Sequence, residues 1–94
     1  YTEAYVASRV AKGFGPLRIL KELLERGIDA ALANTFLDNY AENWDEKIRL
    51  ACTKRFGKLT HADVNSRAKK ARFLQYRGYT GEQIQRLFAD SVKL

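Results

Sequence analysis

The sequence is poor in the residues that most often carry chemistry. Cys52 and His61 are its only cysteine and histidine, which is too few for a conventional zinc site or an internal disulfide. Cys52 falls on the apolar face of a predicted helix, where a packed thiol is a simpler interpretation than a nucleophile. We therefore expect no metal, no cofactor and no catalytic residues, and a reducing, cytoplasmic compartment.

Phosphate-binding loops and long apolar runs are also missing. Gly13-Phe14-Gly15 follows a predicted helix and lacks the strand and third glycine of a dinucleotide site, and no Walker-type loop occurs. No apolar run approaches the roughly 18–20 residues that cross a bilayer, and no signal peptide is visible. We expect neither an enzyme with a small-molecule substrate nor a membrane protein. Because the first residue is Tyr1 and not methionine, we also expect a fragment of a longer chain.

Proline is nearly absent, and β-branched runs are few, which favours helices. Pro16 is the single proline, and hydrophobic residues make up 46% of the chain, enough for a packed core. The apolar spacing predicts six helices and no strand. Two lie over 2–12 and 16–26, three follow caps at Asp29, Asn43 and Thr80, and one starts between 60 and 65.

A pattern of glycine-containing turns occurs twice. Phe14-Gly15 and Phe56-Gly57 each end an apolar-periodic segment, and so do Arg26-Gly27-Ile28 and Arg77-Gly78-Tyr79. An N-cap residue follows each Arg-Gly-apolar triplet. The same order of turns in both parts of the chain indicates an internal repeat.

The spacing of the turns defines the repeats. The phenylalanines are 42 residues apart, but Gly27 and Gly78 are 51 apart, so the second copy contains 9 additional residues between its first and second helices. We predict an all-α fold of two tandem three-helix repeats, 1–42 and 43–94, in a curved array.

The positive charge is concentrated in the second copy. The net charge is +6, with −1 over 1–42 and +7 over 43–94. Such a stretch attracts phosphates or an acidic protein surface, although a solvated face that keeps the protein soluble is the alternative. Tyr76 aligns with a polar-face position and could be exposed beside it, whereas Tyr79 aligns with Ile28 and is predicted in the core. The basic residues between Lys54 and Arg77 are Lys54, Arg55, Lys58, Arg67, Lys69, Lys70, Arg72 and Arg77.

Two helices joined by a tight turn also describe a helix-turn-helix, for which 17–40 and 65–91 both qualify. Its second helix would enter the major groove of DNA. However, the third predicted helix contains almost no basic group, and the sixth offers little beyond Arg86. Because of this shortage of basic groups, a DNA-binding module is the alternative and not the main interpretation.

The order and spacing of these motifs resemble the RecX family, small regulators of the RecA recombinase. Family members usually carry three tandem three-helix repeats, and the two predicted here resemble the middle and C-terminal ones. The resemblance covers nearly the whole chain. It rests on the block from Lys12 to Ile19, Lys21-Glu22-Leu23, Arg26-Gly27-Ile28, Trp44-Asp45, Lys54-Arg55-Phe56-Gly57, Ala71-Arg72-Phe73-Leu74 and Tyr76-Arg77-Gly78-Tyr79.

The resemblance implies a curved helical protein that lies in the groove of the RecA–DNA filament and bridges RecA subunits. It would hinder strand exchange and ATP hydrolysis in recombination, DNA repair and the SOS response. The resemblance also implies contact with DNA, single- or double-stranded. Contacts would come from polar faces of both copies. These residues are Arg18, Lys21 and Arg26 in the first copy, and Lys54, Arg55, Lys58, Arg67, Lys69, Lys70, Arg72, Tyr76 and Arg77 in the second.

Overall fold

The computed structural model describes residues 1–57 and 64–92, and this part of the chain forms six helices and no strand. The prediction of an all-α fold is confirmed. The molecule is elongated, with principal extents of 41 × 21 × 20 Å. The helices are α1 (Thr2–Ala11), α2 (Pro16–Glu25), α3 (Ala30–Asp38), α4 (Trp44–Phe56), α5 (Val64–Arg77) and α6 (Gly81–Val92).

A single apolar cluster runs through all six helices. Within a helix its members are mostly three or four residues apart, so each helix presents one stripe to the interior. Full burial of such a side chain contributes roughly 1.5–3 kcal/mol. The buried apolar residues are Val6, Val10, Ile19, Leu23, Ala33, Leu37, Trp44, Ile48, Cys52, Leu74, Tyr79, Ile84 and Leu87.

Several large apolar residues are not buried. Leu17, Leu24 and Leu32 are exposed by 53%, 45% and 48%. The buried residues of α2 are Ile19 and Leu23. Cys52 is a core thiol, as predicted, and burial raises its pKa.

Two of the three predicted helix caps are present. The Asp29 carboxylate accepts a bond from the Ala31 amide at 3.4 Å. Thr80 and Gln83 form the reciprocal capping box, with distances of 2.9 and 3.0 Å. The predicted helix cap at Asn43 is wrong. The Asn43 backbone already has helical angles, with φ −104° and ψ −12°, and its side chain makes no capping bond.

The turn between α1 and α2 also differs from expectation. The sequence pattern places the turn at Phe14-Gly15, but Gly13 has the positive φ, 92°, whereas Gly15 is extended at −93°. Gly15 is instead required for close approach. A Cβ atom there would lie 2.5 Å from the backbone of both Gly78 and Tyr79, closer than atoms can pack.

Gly15 and Gly78 therefore form a glycine junction between the two copies. The Gly15 amide donates to the Arg77 carbonyl at 2.8 Å, and the Leu17 amide donates to the Gly78 carbonyl at 2.9 Å. Amides at a helix N-terminus have no partner within their own helix. The turn after α5 supplies partners for two amides at the start of α2, which fixes the copies against each other.

Tyr79 strengthens the same junction from inside the core. It is 1% exposed, and its ring packs edge-on against Trp44, with centroids 6.4 Å apart. Its hydroxyl donates to the Gly13 carbonyl at 3.0 Å. Burial raises the pKa of Tyr79 to about 12. The prediction that Tyr79 lies in the core is confirmed. The division of the chain into two repeats, 1–42 and 43–94, stays a prediction. The additional residues predicted for the second copy fall largely outside the described residues.

Candidate functional site

A groove of about 310 Å³ lies where the end of α1 meets α4 and the C-terminal part of α5. We call it the basic groove. No carboxylate of the described residues lines it. Its cations are Lys12, Lys47, Lys54, Arg55 and Arg77, and its other lining residues are Val10, Ala11, Gly13, Leu50, Ala51 and Phe73.

One stripe of α4 forms a long side of the basic groove. Lys47, Leu50, Ala51 and Lys54 follow one another at intervals of three, one and three residues, which places them on one face of a helix. The neighbouring stripe of α4, which contains Ile48, lies in the core. The amphipathic pattern of α4 thus determines which of its residues reach the groove.

Arg77 reaches the basic groove from the end of α5 and is held there. Its Nη1 donates to the Lys12 carbonyl at 3.3 Å. Its guanidinium carbon lies 4.7 Å from the ring centroid of Phe14 and 5.2 Å from that of Phe73. These contacts make Arg77 part of the groove wall and also a structural link between the copies.

Arg55 and the aromatic pair beside it complete the wall. The guanidinium carbon of Arg55 is 5.3 Å from the Phe56 ring and 5.8 Å from the Phe73 ring. The two rings meet edge to face at 5.3 Å. Five cations around an apolar floor raise the positive potential of a concave surface, so the groove is suited to an anionic ligand with some apolar character.

Arg18 lies in a different environment, in a cluster around Phe14. Three guanidinium carbons lie within 4.7 Å of the Phe14 ring centroid: Arg9 at 3.9 Å, Arg18 at 4.5 Å and Arg77 at 4.7 Å. Glu22 pairs with Arg9 at 2.7 Å and with Arg18 at 3.3 Å. Arg18 is therefore engaged in packing and in an ion pair, and only part of its side chain is open to a partner.

Glu22 is the single carboxylate of that cluster. Burial alone would raise its pKa, but hydrogen bonds from Arg9, Tyr5 and Arg18 together lower the pKa below its usual value. The Tyr5 hydroxyl donates at 2.8 Å. The negative charge of Glu22 is thus favoured in the folded protein, where it offsets part of the arginine charge.

Arg18, Lys21 and Tyr76 line a second groove, between α2 and the end of α5. Glu22 and Glu25 line it as well, so this groove has mixed charge. Tyr76 is 74% exposed, and the guanidinium carbon of Arg18 lies 5.3 Å from its ring. The exposure expected for Tyr76 is confirmed, but the acidic neighbours make this groove less suited to an anion than the basic groove.

The remaining candidate residues are dispersed. Arg26 donates to the Tyr1 hydroxyl at 3.0 Å. Lys69 and Arg72 are exposed on the outer side of α5, and the guanidinium carbon of exposed Arg67 lies 5.6 Å from the Phe88 ring.

Lys70 differs most from expectation. Its side chain is only 7% exposed, with Nζ 6.0 Å from the Phe56 ring, because residue 70 lies on the inner side of α5, one turn before Leu74. Lys58 lies outside the described residues. The basic stretch of the sequence thus does not form one surface.

The sequence interpretation missed Lys12 and Lys47 in the groove and Arg9 in the cluster around Phe14. The sequence pattern could have identified Lys47, because this residue is seven positions before Lys54 and shares its helix face. Lys12 could not, because it belongs to the near-neutral first copy and reaches the groove only through the fold.

The two candidate recognition helices carry little available positive charge. Helix α3 contains no lysine or arginine. Arg86, the basic residue of α6, pairs with Asp45 at 3.2 Å and with Glu82 at 3.1 Å. Neither helix therefore offers phosphates the contacts expected of a DNA-reading helix.

The described part of the chain contains neither a membrane-spanning helix nor a metal-binding cluster. None of its helices combines the length and apolar character that a membrane span requires. Across residues 1–57 and 64–92, no group of three or more histidine, cysteine, aspartate and glutamate side chains could hold a metal ion.

Comparison with known proteins gives a consistent result along the chain. The family model described as "RecX, second three-helix domain" matches residues 1–37, and "RecX, third three-helix domain" matches residues 43–88. Proteins named "Regulatory protein RecX" from Pseudomonas fluorescens and Serratia proteamaculans are 37% and 33% identical over 95% and 96% of this chain. The chain spans 57% and 54% of the length of these relatives.

Proposed function

Because this chain belongs to the RecX family, we propose that it is a non-enzymatic regulator that binds the RecA nucleoprotein filament. Binding would restrain the ATPase and strand-exchange activities of RecA in the cytoplasm. The names of the relatives support a regulatory role, and regulation requires a partner. Two joined repeats, 1–42 and 43–94, would act as one rigid unit on that partner.

The basic groove is the observation that carries this proposal. Five cations line it, and no described carboxylate does. A nucleoprotein filament offers DNA phosphates and acidic protein side chains, and either would complement this surface. The positive side chains on this concave surface repel one another until an anion binds. Binding of an anionic partner therefore relieves this repulsion.

The structure changes which of the candidate residues we expect at the contact. Lys54 and Arg55, with the newly found Lys12 and Lys47, are the primary group. Lys69 and Arg72 on the outer side of α5 form a separate surface. Lys70 is buried, so a charge reversal there would test folding and not binding.

The proposal is tested by measuring RecA ATPase on single-stranded DNA with this chain, in parallel with the full-length regulatory protein RecX of Pseudomonas fluorescens. We expect inhibition by both, and an increase of about tenfold in the concentration needed after Lys47→Glu together with Lys54→Glu. Lys69→Glu together with Arg72→Glu is the matched control on the outer surface and should have a smaller effect.

Failure of the unaltered chain to bind RecA filaments or to slow the ATPase would contradict the proposal. Binding to duplex DNA alone, measured across a salt series, separates the two interpretations of the positive charge. Tight, sequence-selective DNA binding without RecA would indicate a DNA-binding module instead. Circular dichroism of each variant shows that the helices are retained.

A further inference from the structure

We propose that the occupant of the basic groove is an acidic peptide segment of a protein partner, with one apolar side chain placed between its carboxylates. This inference rests on the proposed function for the identity of the partner, a protein of the filament, and it adds the chemistry of the contact. The alternative occupant is the backbone of a nucleic acid.

Leu50 is the first observation in favour of a peptide. It is 53% exposed although it is a large apolar residue, and it lies on the α4 stripe three residues after Lys47 and four before Lys54. One helical turn thus separates it from a cation on either side. An apolar side chain flanked by carboxylates has the complementary pattern.

The aromatic residues argue against single-stranded nucleic acid. Such ligands are held by open aromatic faces on which bases stack. Phe73, the one aromatic side chain among the described residues of the basic groove, is half-buried and packs edge-on against Phe56. The guanidinium carbons of Arg55 and Arg77 lie within 5.8 Å of its ring centroid. Its ring is therefore already occupied by contacts within the protein.

An exposed aromatic ring, that of Tyr76, lies outside the basic groove. Tyr76 is 74% exposed, but the groove that it lines also contains Glu22 and Glu25, which repel phosphates. A nucleic acid would thus find cations without a stacking surface in one groove and a stacking surface with acids in the other. A peptide needs only the first groove.

The size and stiffness of the groove fit a small number of side chains. Its volume, about 310 Å³, lies at the lower end of the range for ligand pockets. Arg77 is held by the Lys12 carbonyl at 3.3 Å, which reduces the entropy lost when a ligand orders it. Duplex DNA, in contrast, would need a broader surface than this groove offers.

The test uses fluorescence anisotropy with a labelled short peptide of aspartate and glutamate that contains one central leucine. The same peptide with alanine in the centre and a short oligothymidylate of equal charge are the comparison probes. We expect the leucine peptide to bind about fivefold more tightly than the alanine peptide. Leu50→Ser should remove that difference, and Lys54→Glu should weaken binding of both peptides by about tenfold.

Two variants outside the groove serve as matched controls. Leu24→Ser removes a leucine with similar exposure, 45%, and Lys69→Glu makes the same charge change on the outer side of α5. Both should bind the peptides as the unaltered chain does. Equal affinity for the leucine and alanine peptides, or tighter oligothymidylate binding that depends on Lys54 and not on Leu50, would overturn the inference.

Cosedimentation with RecA filaments separates this inference from the proposed function. If the unaltered chain does not sediment with filaments, the proposed function fails, whatever the peptides do. If it does sediment and Leu50→Ser binds filaments equally well, the peptide inference fails for this partner while the proposed function stands. A loss of about fivefold with Leu50→Ser, but not with Leu24→Ser, supports both.

Discussion

The two Arg-Gly turns have the same sequence pattern and the same backbone geometry, yet they differ in what surrounds them. Gly27 and Gly78 both have positive φ, 88° and 101°. A Cβ atom on Gly27 would meet nothing within 4 Å. A Cβ atom on Gly78 would lie 2.4 Å from the Cβ atom of Arg18 and 2.6 Å from the backbone nitrogen of Arg18. The first turn only reverses the chain, and the second also joins the two copies.

The residues next to the two glycines follow the same division. Arg26 is exposed and contacts the Tyr1 hydroxyl and the Tyr5 ring of its own copy, while Arg77 packs near Phe14 of the other copy and bonds to the Lys12 carbonyl. Ile28 is half-buried, and Tyr79 is fully buried. A repeated motif thus predicts the local backbone, but each copy acquires its own packing role from the elements that approach it.

The largest expected effect is that of alanine at the two glycines. Gly27→Ala should lower the free energy of unfolding by about 1 kcal/mol, because only the positive φ opposes it. Gly78→Ala should lower it by roughly 4 kcal/mol or prevent folding, because the backbone at Arg18 must move as well. Urea denaturation measures both. Equal losses for the two variants would show that the glycine junction does not constrain the fold.

An intermediate effect is expected at Tyr79, the buried residue that follows Gly78 in the second turn. Tyr79 has a folded-state pKa of about 12, above the ordinary value near 10. The folded state therefore holds the Tyr79 hydroxyl proton more strongly than the unfolded state does. The stability that this difference contributes is complete below about pH 10 and is lost as the pH rises from there through about 12. We expect unfolding free energy to fall over this range by up to roughly 2–3 kcal/mol.

Tyr79→Phe should remove that part of the pH dependence and, at neutral pH, should cost about 1 kcal/mol for the lost bond to the Gly13 carbonyl. Tyr76→Phe, at the exposed tyrosine, is the matched control and should leave the alkaline slope unchanged. Denaturation midpoints at several pH values measure the difference. The same slope in Tyr79→Phe and in the unaltered chain would contradict the assignment.

The smallest effect is expected at the two arginines. Arg77→Ala should lower stability by roughly 1–2 kcal/mol, because it removes ring contacts and a bond between the copies. Arg26→Ala should cost less, roughly 0.5–1 kcal/mol, because Arg26 is exposed and its contacts, the Tyr1 hydroxyl and the Tyr5 ring at 4.2 Å, lie within the first copy. Thermal unfolding compares them under identical conditions. A larger loss for Arg26→Ala would reverse the division of roles between the turns.

Helix positions and most core residues were predictable because they depend on local pattern. Trp44, Ile48 and Cys52 are spaced by four residues on one face of α4, and all three are buried. The cap at Thr80 was predictable for the same reason, since Gln83 is three residues away. The predicted cap at Asn43 does not form, because the residues before it already form turns and the Asn43 amide donates to the Tyr40 carbonyl at 2.8 Å.

The candidate site was less predictable, because it is assembled from distant segments. The charge count included Lys54 and Arg55, which line the basic groove, but it also included Lys70, which is buried on the inner side of α5. It omitted Lys12, which is 65 residues from Arg77 in the chain and bonds to it through its carbonyl. Charge along a sequence does not specify which residues meet across a groove.

The six helices, the turns at Gly27 and Gly78, and the family could be read from the chain, because they depend on short-range spacing and on residue type. The packing of the helices brings Gly15 against Gly78, divides the positive stretch among several surfaces, and places Lys12 and Lys47 with Lys54 around Leu50. The physical reason is that backbone conformation responds to neighbours within about one helical turn, whereas grooves and junctions arise from the packing of whole helices.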